Sequence, residues 1–319
     1  MPDIAAPDIV IAEFMDEAAV AGLAASYDVL YDPLLVEQPE ALRTALRQAR
    51  ALIVRNRTQV RPALLAHAPV LGCVGRLGVG LDNIDLPACS ARGIAVYPAT
   101  GANDVAVAEY VMAAALLLLR GAYGASSRVA AGDWPRNALI GREVSGKVLG
   151  LVGFGAIARE VALRARAMGM AIVAHDPFVL DADPAWARCS AARLSLDALL
   201  AQADVVSLHV PLTPATLRMI DATALACMKR DAVLINAARG GIVDEAALAQ
   251  ALRAGQLGGA ALDVFETEPL GADQGRILAD IGNLILTPHI AGVTHESNIA
   301  ASSLTAKNVA AHLAKLGAR

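Results

Sequence analysis

Short aliphatic runs alternate with segments of helical spacing along almost the whole chain. This alternation is typical of parallel sheets whose strands are connected by helices. The aliphatic runs predict strands at 4–13, 51–54, 70–74, 148–152, 171–174, 205–209, 232–236, 259–262 and 284–287. Helical spacing predicts helices at 15–26, 40–50, 62–68, 103–120, 157–168, 196–201, 223–228, 244–254 and 296–316. The fold class is therefore α/β.

The alternation begins afresh at Lys147, after a long apolar helix and a Gly-Asp-Trp-Pro break. The strands that follow predict a six-stranded doubly wound sheet. We therefore expect two Rossmann-like doubly wound domains, one at 103–291 and the other formed by 1–102 and 292–319. Because the helix at 103–120 is apolar all round, we expect another domain or subunit to cover it.

Composition excludes several classes of protein. The formal net charge of −4 argues against nucleic acid as a partner, since binding usually needs a basic patch. The most apolar stretch, 111–119, is too short to span a membrane, and the N-terminus lacks a signal-peptide pattern. The four cysteines have neither disulfide-framework nor metal-site spacing, so we expect no metal. These features together predict a cytoplasmic protein without nucleic-acid or membrane partners.

A glycine-rich turn lies between a predicted strand and a predicted helix. Gly153, Gly155 and Ala158 fit the dinucleotide fingerprint. In it, the first glycine permits a tight turn, the second lets backbone N–H groups approach a pyrophosphate, and the small third residue lets helix and strand pack closely. Asp176 ends the next strand, where an acid can accept hydrogen bonds from the adenosine ribose and would repel the 2′-phosphate of NADP. The alternative is that Asp176 is only a loop or helix-capping acid. The pattern favours NAD as the cofactor.

Three polar residues follow late strands of the same domain, namely Arg239, Glu268 and His289. Ligands of open α/β sheets bind beyond the carboxyl ends of the strands, so these side chains could converge on one site. Taken singly, Arg239 could form a surface ion pair, Glu268 could be a solvated loop acid and His289 a structural histidine.

The surrounding motifs resemble those of the D-isomer-specific 2-hydroxyacid dehydrogenases. Residues 236–245, 262–269 and 288–292 resemble the arginine, glutamate and histidine signatures of that family. Residues 209–216 are similar to its cofactor-contacting strand end, and 75–85 to its substrate-domain glycine loop. The resemblance implies an NAD domain inserted into a flavodoxin-like substrate domain, a cleft between them, and a homodimer formed through the 103–120 helix.

The resemblance also implies a role for each residue. His289 would take the proton of the substrate hydroxyl, Glu268 would fix the imidazole tautomer and favour its protonated form, and Arg239 would bind the substrate carboxylate. The backbone N–H groups of Gly78, Val79 and Gly80 would hold the same carboxylate. Further contacts to NAD would come from Ala156, Ile157, Val210, Pro211, Thr216, Ala237, Ala238, Arg239, Asp263, His289 and Gly292.

One departure from the family's motifs bears on NAD binding, and a cluster of arginines bears on the substrate. Ala156 stands where the family usually has an arginine, which predicts weaker NAD binding. Arg55 and Arg76 match the positions that meet phosphate in phosphoglycerate enzymes, and Arg57 adds a third positive charge. The resemblance thus implies a small-molecule partner that is a 2-hydroxy or 2-oxo acid, and we expect a second anionic group at C3, as in 3-phosphoglycerate or 3-sulfolactate.

Other interpretations stay open at this point. The arginines could pair with local acids instead of binding substrate. The chain could be a glyoxylate or hydroxypyruvate reductase, although Asp176 disfavours NADPH. It could also be an NAD-sensing corepressor-like binding protein, which the complete set of Arg239, Glu268 and His289 argues against.

Overall fold

The computed structural model describes residues 7–317, so residues 4–6 of the predicted first strand lie outside the described residues. The strands are β1 (Ile9–Ile11), β2 (Val29–Tyr31), β3 (Ala51–Val54), β4 (Cys73–Arg76), β5 (Ala95–Pro98), β6 (Val148–Val152), β7 (Ala171–His175), β8 (Ala191–Arg193), β9 (Val205–Leu208), β10 (Val233–Asn236), β11 (Gly259–Leu262) and β12 (Leu284–Leu286).

The helices connect these strands in chain order. They are α1 (Glu17–Ala24), α2 (Pro39–Ala45), α3 (Pro62–Leu65), α4 (Leu86–Ala91), α5 (Asp104–Arg120), α6 (Ser126–Ala130), α7 (Ala156–Ala167), α8 (Pro184–Cys189), α9 (Leu196–Gln202), α10 (Ala222–Cys227), α11 (Glu245–Arg253), α12 (Ala272–Leu278) and α13 (His295–Leu316). Short 3-10 helices lie at Leu35–Glu37, Tyr123–Ala125 and Asn137–Leu139.

The described chain divides into two compact units, one of residues 7–103 and 293–317, the other of Asp104–Gly292. The first contains a five-stranded parallel sheet in the order β2-β1-β3-β4-β5, which is the flavodoxin-like order. Both faces of its central strands are buried: Ile53 packs towards α13, and Leu52 packs on the opposite face. This two-sided burial explains why β3 is a continuous apolar run.

The second unit contains a seven-stranded sheet in the order β12-β11-β10-β9-β6-β7-β8, in which all pairs are parallel. The strand order reverses between β6 and β9, and ligands of doubly wound sheets bind at such a switch point. The chain thus has two parallel-sheet α/β domains, as the alternation predicts. The predicted count of six strands is wrong because β8 adds a seventh.

The strands that the aliphatic pattern misses are β2, β5 and β8, and each lies at the edge of its sheet. Edge strands are covered less completely, so they do not need an unbroken apolar run. The residues of β2 and β5 are half-buried, and two of the three residues of β8 are exposed. The strand predicted at 70–74 begins instead at Cys73, because Cys73 pairs with Ala51 at the start of β3.

Helix α5 is covered mainly by its own unit. Most of its apolar residues belong to the core that α7 and the sheet of the second unit also form. The prediction that another domain or subunit covers this helix is therefore wrong for most of its surface. Among the described residues, no single helix is long and apolar enough to cross a membrane. Only α5 combined with Tyr123–Ala130 meets that criterion, and this pair is bent by 68°.

Candidate active site

The glycine turn after β6 packs closely against the backbone of His209, the residue that follows β9. Gly153 has a φ of +88°, and a Cβ there would lie 2.5 Å from the carbonyl oxygen of His209, so only glycine fits. Gly155 is the N-cap of α7 and offers no side-chain cap, and the space beside its Cα is open. The first N–H groups of α7 therefore remain available for an anionic group.

Asp176 joins this turn to the end of β7. Its Oδ2 accepts a hydrogen bond from the N–H of Phe154 at 2.8 Å, and its Oδ1 accepts one from the N–H of Phe178 at 2.8 Å. Oδ1 also accepts a hydrogen bond from the N–H of Val179 at 3.2 Å. A carboxylate has about four lone-pair sites, so these three bonds leave about one for a ribose hydroxyl. The same residue thus orders the turn and presents a negative charge beside it.

The segment after β9 forms a tight turn at the same edge of the sheet. The hydroxyl of Thr216 donates to the carbonyl of Pro211 at 2.6 Å and accepts from the N–H of Thr213 at 2.8 Å. Val210 packs on the core, whereas Pro211 is exposed. Thr216 therefore stabilises the turn through its own hydroxyl.

His209 lies beside the glycine turn and gives a testable pH effect. Burial lowers the pKa of His209 from 6.5 to about 4. The unfolded chain therefore binds a proton here as the pH falls below 6.5, while the folded protein does so only near 4. The contribution of His209 to the free energy of unfolding is therefore present above the pKa of the unfolded chain. It is lost as the pH falls towards the lower pKa of the folded protein.

We expect this residue to lower the free energy of unfolding by about 2 kcal/mol between about pH 7 and about pH 5. His209→Gln should make that decline shallower by the same amount in urea unfolding curves. His67→Gln, which replaces an exposed histidine, is the matched control. An equally steep decline in His209→Gln would contradict the assignment.

A buried asparagine holds the turn that carries Arg239. Asn236, at the end of β10, is only 1% exposed. Its Nδ2 donates to the carbonyl of Arg239 at 2.9 Å, and its Oδ1 accepts from the N–H of Ala238 at 3.1 Å. The guanidinium of Arg239 donates through Nη1 to the carbonyl of Ala238 at 2.6 Å. Sequence reasoning did not give Asn236 a role, although a polar residue ending a buried strand was a usable signal.

The Arg239 turn lies directly against the loop that carries Glu268. A Cβ on Gly240 would collide with the backbone carbonyl of Phe265, so the two segments touch only because residue 240 is glycine. Glu245, on α11, accepts a hydrogen bond from the N–H of Glu266 at 2.6 Å and joins them a second time. The chain therefore brings Arg239 and Glu268 to neighbouring loops.

Glu268 and His289 form a hydrogen-bonded pair. The Nδ1 of His289 lies 2.7 Å from Oε2 of Glu268, whose Oε1 accepts from the N–H of Phe265 at 3.1 Å. The side chains are 47% and 35% exposed, respectively. With Nδ1–H donated to the carboxylate, the Nε2 lone pair of His289 is the one that can accept a proton.

The backbone of His289 is held in an unusual conformation with a φ of +55°. Its N–H donates to the carbonyl of Asp263 at 2.8 Å. The Asp263 carboxylate is buried and accepts the N–H groups of Ile290 and Ala291, both at 2.8 Å. A left-handed non-glycine residue persists only when its surroundings impose it, and Asp263 supplies those constraints.

A hydrogen-bond chain supports Asp263 from behind. The hydroxyl of Thr287 donates to Oδ1 of Asp263 at 2.6 Å, so the hydroxyl of Tyr110, 2.7 Å away, must donate to Thr287. Burial raises the pKa of Tyr110, which keeps it a neutral donor. Sequence reasoning missed Tyr110 and Thr287, because nothing local connects two residues that are 177 positions apart.

Apart from Arg239, which belongs to the second unit, the predicted substrate-binding residues lie in the first unit. The guanidinium of Arg76 donates through Nη1 to the carbonyl of Leu77 at 3.1 Å, just before Gly78, Val79 and Gly80. Arg55 donates through Nη2 to Oδ1 of Asn298 at 2.8 Å.

Arg57 shows the alternative arrangement, a local ion pair. Its Nη2 lies 3.0 Å from Oε1 of Glu37, and both side chains are more than half exposed. The third candidate charge thus has an acidic partner of its own.

Comparison with known proteins assigns these features to a family. Residues 112–291 match the family model described as "D-isomer specific 2-hydroxyacid dehydrogenase, NAD binding domain". The chain belongs to the D-isomer-specific 2-hydroxyacid dehydrogenase family. It is accordingly an NAD-dependent 2-hydroxyacid dehydrogenase.

Relatives of this dehydrogenase include enzymes for acids with an anionic tail. It is 57% identical over 302 residues to the (S)-sulfolactate dehydrogenase of Chromohalobacter salexigens, covering 95% of this chain and 97% of that protein. It is 39% identical over 310 residues to the D-3-phosphoglycerate dehydrogenase of Mycobacterium leprae. That match covers 97% of this chain but only 57% of the mycobacterial protein.

A solved relative is the D-lactate dehydrogenase of Aquifex aeolicus, described as complexed with NAD and lactic acid. The dehydrogenase superposes on it with a TM-score of 0.82 and 28% sequence identity, covering 96% of this chain and 95% of that one.

The residues of this dehydrogenase fit NAD. The open space at Gly155 and the uncapped start of α7 would suit a pyrophosphate, and the acid after β7 would suit a ribose hydroxyl. Ala156 is exposed at the start of α7 and provides no cation there. Among residues 7–317, no group of three or more His, Cys, Asp or Glu side chains could hold a metal ion.

Proposed function

We propose that this dehydrogenase oxidises (S)-3-sulfolactate with NAD. The observation that carries the proposal is the pair Arg55 and Arg76, which follow and end the adjacent strands β3 and β4. Arginine suits a tetrahedral oxyanion because its forked N–H donors bind two oxygens at once. The 57% identity to a sulfolactate dehydrogenase supports a sulfonate as this anion.

The stereochemistry of (S)-3-sulfolactate is compatible with a D-specific family. In the naming rules, the sulfur-bearing carbon outranks the carboxylate, whereas the methyl carbon of D-lactate ranks below it. The S descriptor therefore denotes the same spatial arrangement at C2 that D-lactate has. A site for D-acids would accept this enantiomer and reject the other.

The proposed chemistry uses the described side chains directly. Bound NAD supplies the acceptor for the hydride of C2. His289 accepts the hydroxyl proton at Nε2, while Glu268 holds Nδ1–H and stabilises the imidazolium that forms. Arg239 binds the substrate carboxylate. Arg55 and Arg76 bind the sulfonate, so recognition of the tail is separate from the reacting carbon.

A substrate panel tests the proposal. We expect NADH formation to be fastest with (S)-3-sulfolactate and slow with its enantiomer, D-glycerate and D-lactate. Arg55→Ala and Arg76→Ala should each lower kcat/KM for (S)-3-sulfolactate by about 100-fold, since each removes charge-assisted hydrogen bonds. Unchanged kcat/KM in both variants would sink the anion-pocket assignment.

The same panel decides between the remaining substrates. Preference for 3-phosphoglycerate would assign the arginines to a phosphate instead of a sulfonate. Fast reduction of glyoxylate or hydroxypyruvate, with no preference for anionic tails, would favour the reductase alternative. NAD binding without turnover of any acid would favour the corepressor-like alternative.

The proposal extends to assembly and location. We propose a homodimer, with exposed apolar side chains after α5, among them Tyr123, Trp134 and Ile140, as its contact surface. Light scattering after size exclusion tests it, and a monomer would contradict it.

A cytoplasmic location suits an NAD-dependent enzyme whose four cysteines are all free.

A further inference from the structure

The buried carboxylate of Glu13 binds the backbone of residues 55–58, the loop that carries Arg55 and Arg57. Glu13 follows β1 and is only 4% exposed. Its two oxygens accept hydrogen bonds from four consecutive N–H groups, those of Arg55, Asn56, Arg57 and Thr58, at 2.8, 3.3, 3.1 and 3.0 Å. Such convergence of successive N–H groups forms an anion-binding nest, which here is filled by a side chain of the protein.

The carboxylate and the loop depend on each other. A buried charge is tolerated only when hydrogen bonds replace its hydration. Although burial opposes ionisation, the N–H groups of Thr58, Arg55 and Arg57 hold the pKa of Glu13 below its ordinary value. Glu13 is therefore ionised at neutral pH, and any other conformation of the loop would leave its charge unsatisfied.

Two amide side chains add further hydrogen bonds to the loop. Asn83 is 5% exposed and donates through Nδ2 to the carbonyl of Thr58 at 2.7 Å. Asn298, in the first turns of α13, accepts from Nη2 of Arg55 at 2.8 Å. The backbone of Arg55 is thus held by Glu13, and its guanidinium by Asn298.

With these contacts made, the guanidinium of Arg55 can still bind a ligand. The bond to Asn298 uses one of the guanidinium's N–H groups, of which there are about five, so a bidentate contact to an oxyanion is still possible. Arg57 is in a different situation, because it leaves the same loop but is paired with Glu37 at the surface. The buried framework therefore serves Arg55 in particular.

We propose that Glu13 and Asn298 are positioning residues that hold Arg55 ready for the anionic tail of the substrate. The inference rests on the proposed function, because it assigns the tail to Arg55. Neither residue is assigned a contact with the reacting carbon or with NAD. Their removal should therefore weaken binding of the tail while the chemistry at C2 persists.

The test separates KM from kcat. In Glu13→Gln, an NH₂ group replaces one acceptor oxygen and faces two of the loop's N–H donors. We expect KM for (S)-3-sulfolactate to rise about 10- to 100-fold, while kcat changes less than about threefold and KM for NAD is unchanged. Asn298→Ala should raise the same KM about three- to tenfold. Glu40→Gln, an exposed glutamate of α2, is the matched control and should change neither constant.

The outcomes are distinguishable. If Arg55→Ala raises KM but Glu13→Gln and Asn298→Ala do not, the positioning role is wrong and the proposed function stands. If Arg55→Ala itself leaves KM unchanged, the assignment of the tail to Arg55 fails and the positioning role falls with it, while the substrate panel still decides the proposed function. A fall in kcat equal to the rise in KM, also seen with D-lactate, would reduce Glu13 to a general structural role. Should Glu13→Gln fail to fold, Asn298→Ala decides alone, because it removes only the acceptor on the guanidinium.

Discussion

His289→Asn is expected to lower kcat by about 10³- to 10⁴-fold and to weaken NAD binding far less. The loss follows because Nε2 of His289 is the proposed proton acceptor, and Glu268, 2.7 Å from Nδ1, fixes the tautomer that leaves the Nε2 lone pair available. General base catalysis contributes effects of about this size. Asparagine is the appropriate replacement because it tolerates a positive φ, here +55°, so that the hydrogen bonds to Asp263 are retained.

The measurement is kcat for oxidation of (S)-3-sulfolactate, with the Kd for NAD from calorimetry on the same preparation. A Kd that changes far less than kcat assigns the residue to proton transfer. Retention of more than about a tenth of kcat would mean that another group takes the proton. Loss of NAD binding would instead mean that the substitution has disturbed the Asp263 loop.

Arg239→Lys is expected to lower kcat/KM by about 100-fold although the positive charge is kept. Lysine presents a point charge, whereas a carboxylate held by arginine receives two parallel N–H donors. The turn around residue 239 should keep its conformation, because Asn236 binds only backbone atoms there. The defect should therefore lie in substrate recognition and not in folding.

The measurement compares kcat/KM for Arg239→Lys with that of Arg276→Lys, whose exposed arginine pairs with Asp273 on α12. The control should behave as the unmodified enzyme does. Similar kcat/KM for both variants would show that charge alone suffices at residue 239. The result also bears on the corepressor-like alternative, which gives this arginine no role in turnover.

The sequence signal for a strand differs between the centre and the edge of a sheet. Central strands such as β3, β6 and β11 are found at the predicted residues, because burial on both faces requires consecutive aliphatic side chains. The edge strands β2, β5 and β8 carry no such requirement and were missed. Hydrophobic pattern therefore predicts the centre of a parallel sheet better than its edges.

The candidate site divides in a similar way. The Glu268–His289 contact agrees with the expectation that the two residues interact. Gly153 has the positive φ that a tight turn needs, whereas the approach of a pyrophosphate to the backbone stays a prediction. The roles assigned to Arg55, Arg76 and Asp176 stay predictions. The arrangement of Arg57 with Glu37 could not be foreseen, since two mobile surface side chains at distant positions leave no periodic pattern.

By itself, the sequence determined the α/β class and the position of the glycine turn after β6, and it indicated the side chains that are proposed to react. These depend on local features: apolar runs, glycines that permit close approach, and polar residues placed just after strands. Only the tertiary structure decided what holds those side chains in place. Glu13 beneath the Arg55 loop and the Tyr110–Thr287–Asp263 chain beneath His289 join residues tens to hundreds of positions apart. Such contacts arise from the packing of whole elements, and buried polar groups must find partners wherever packing places them.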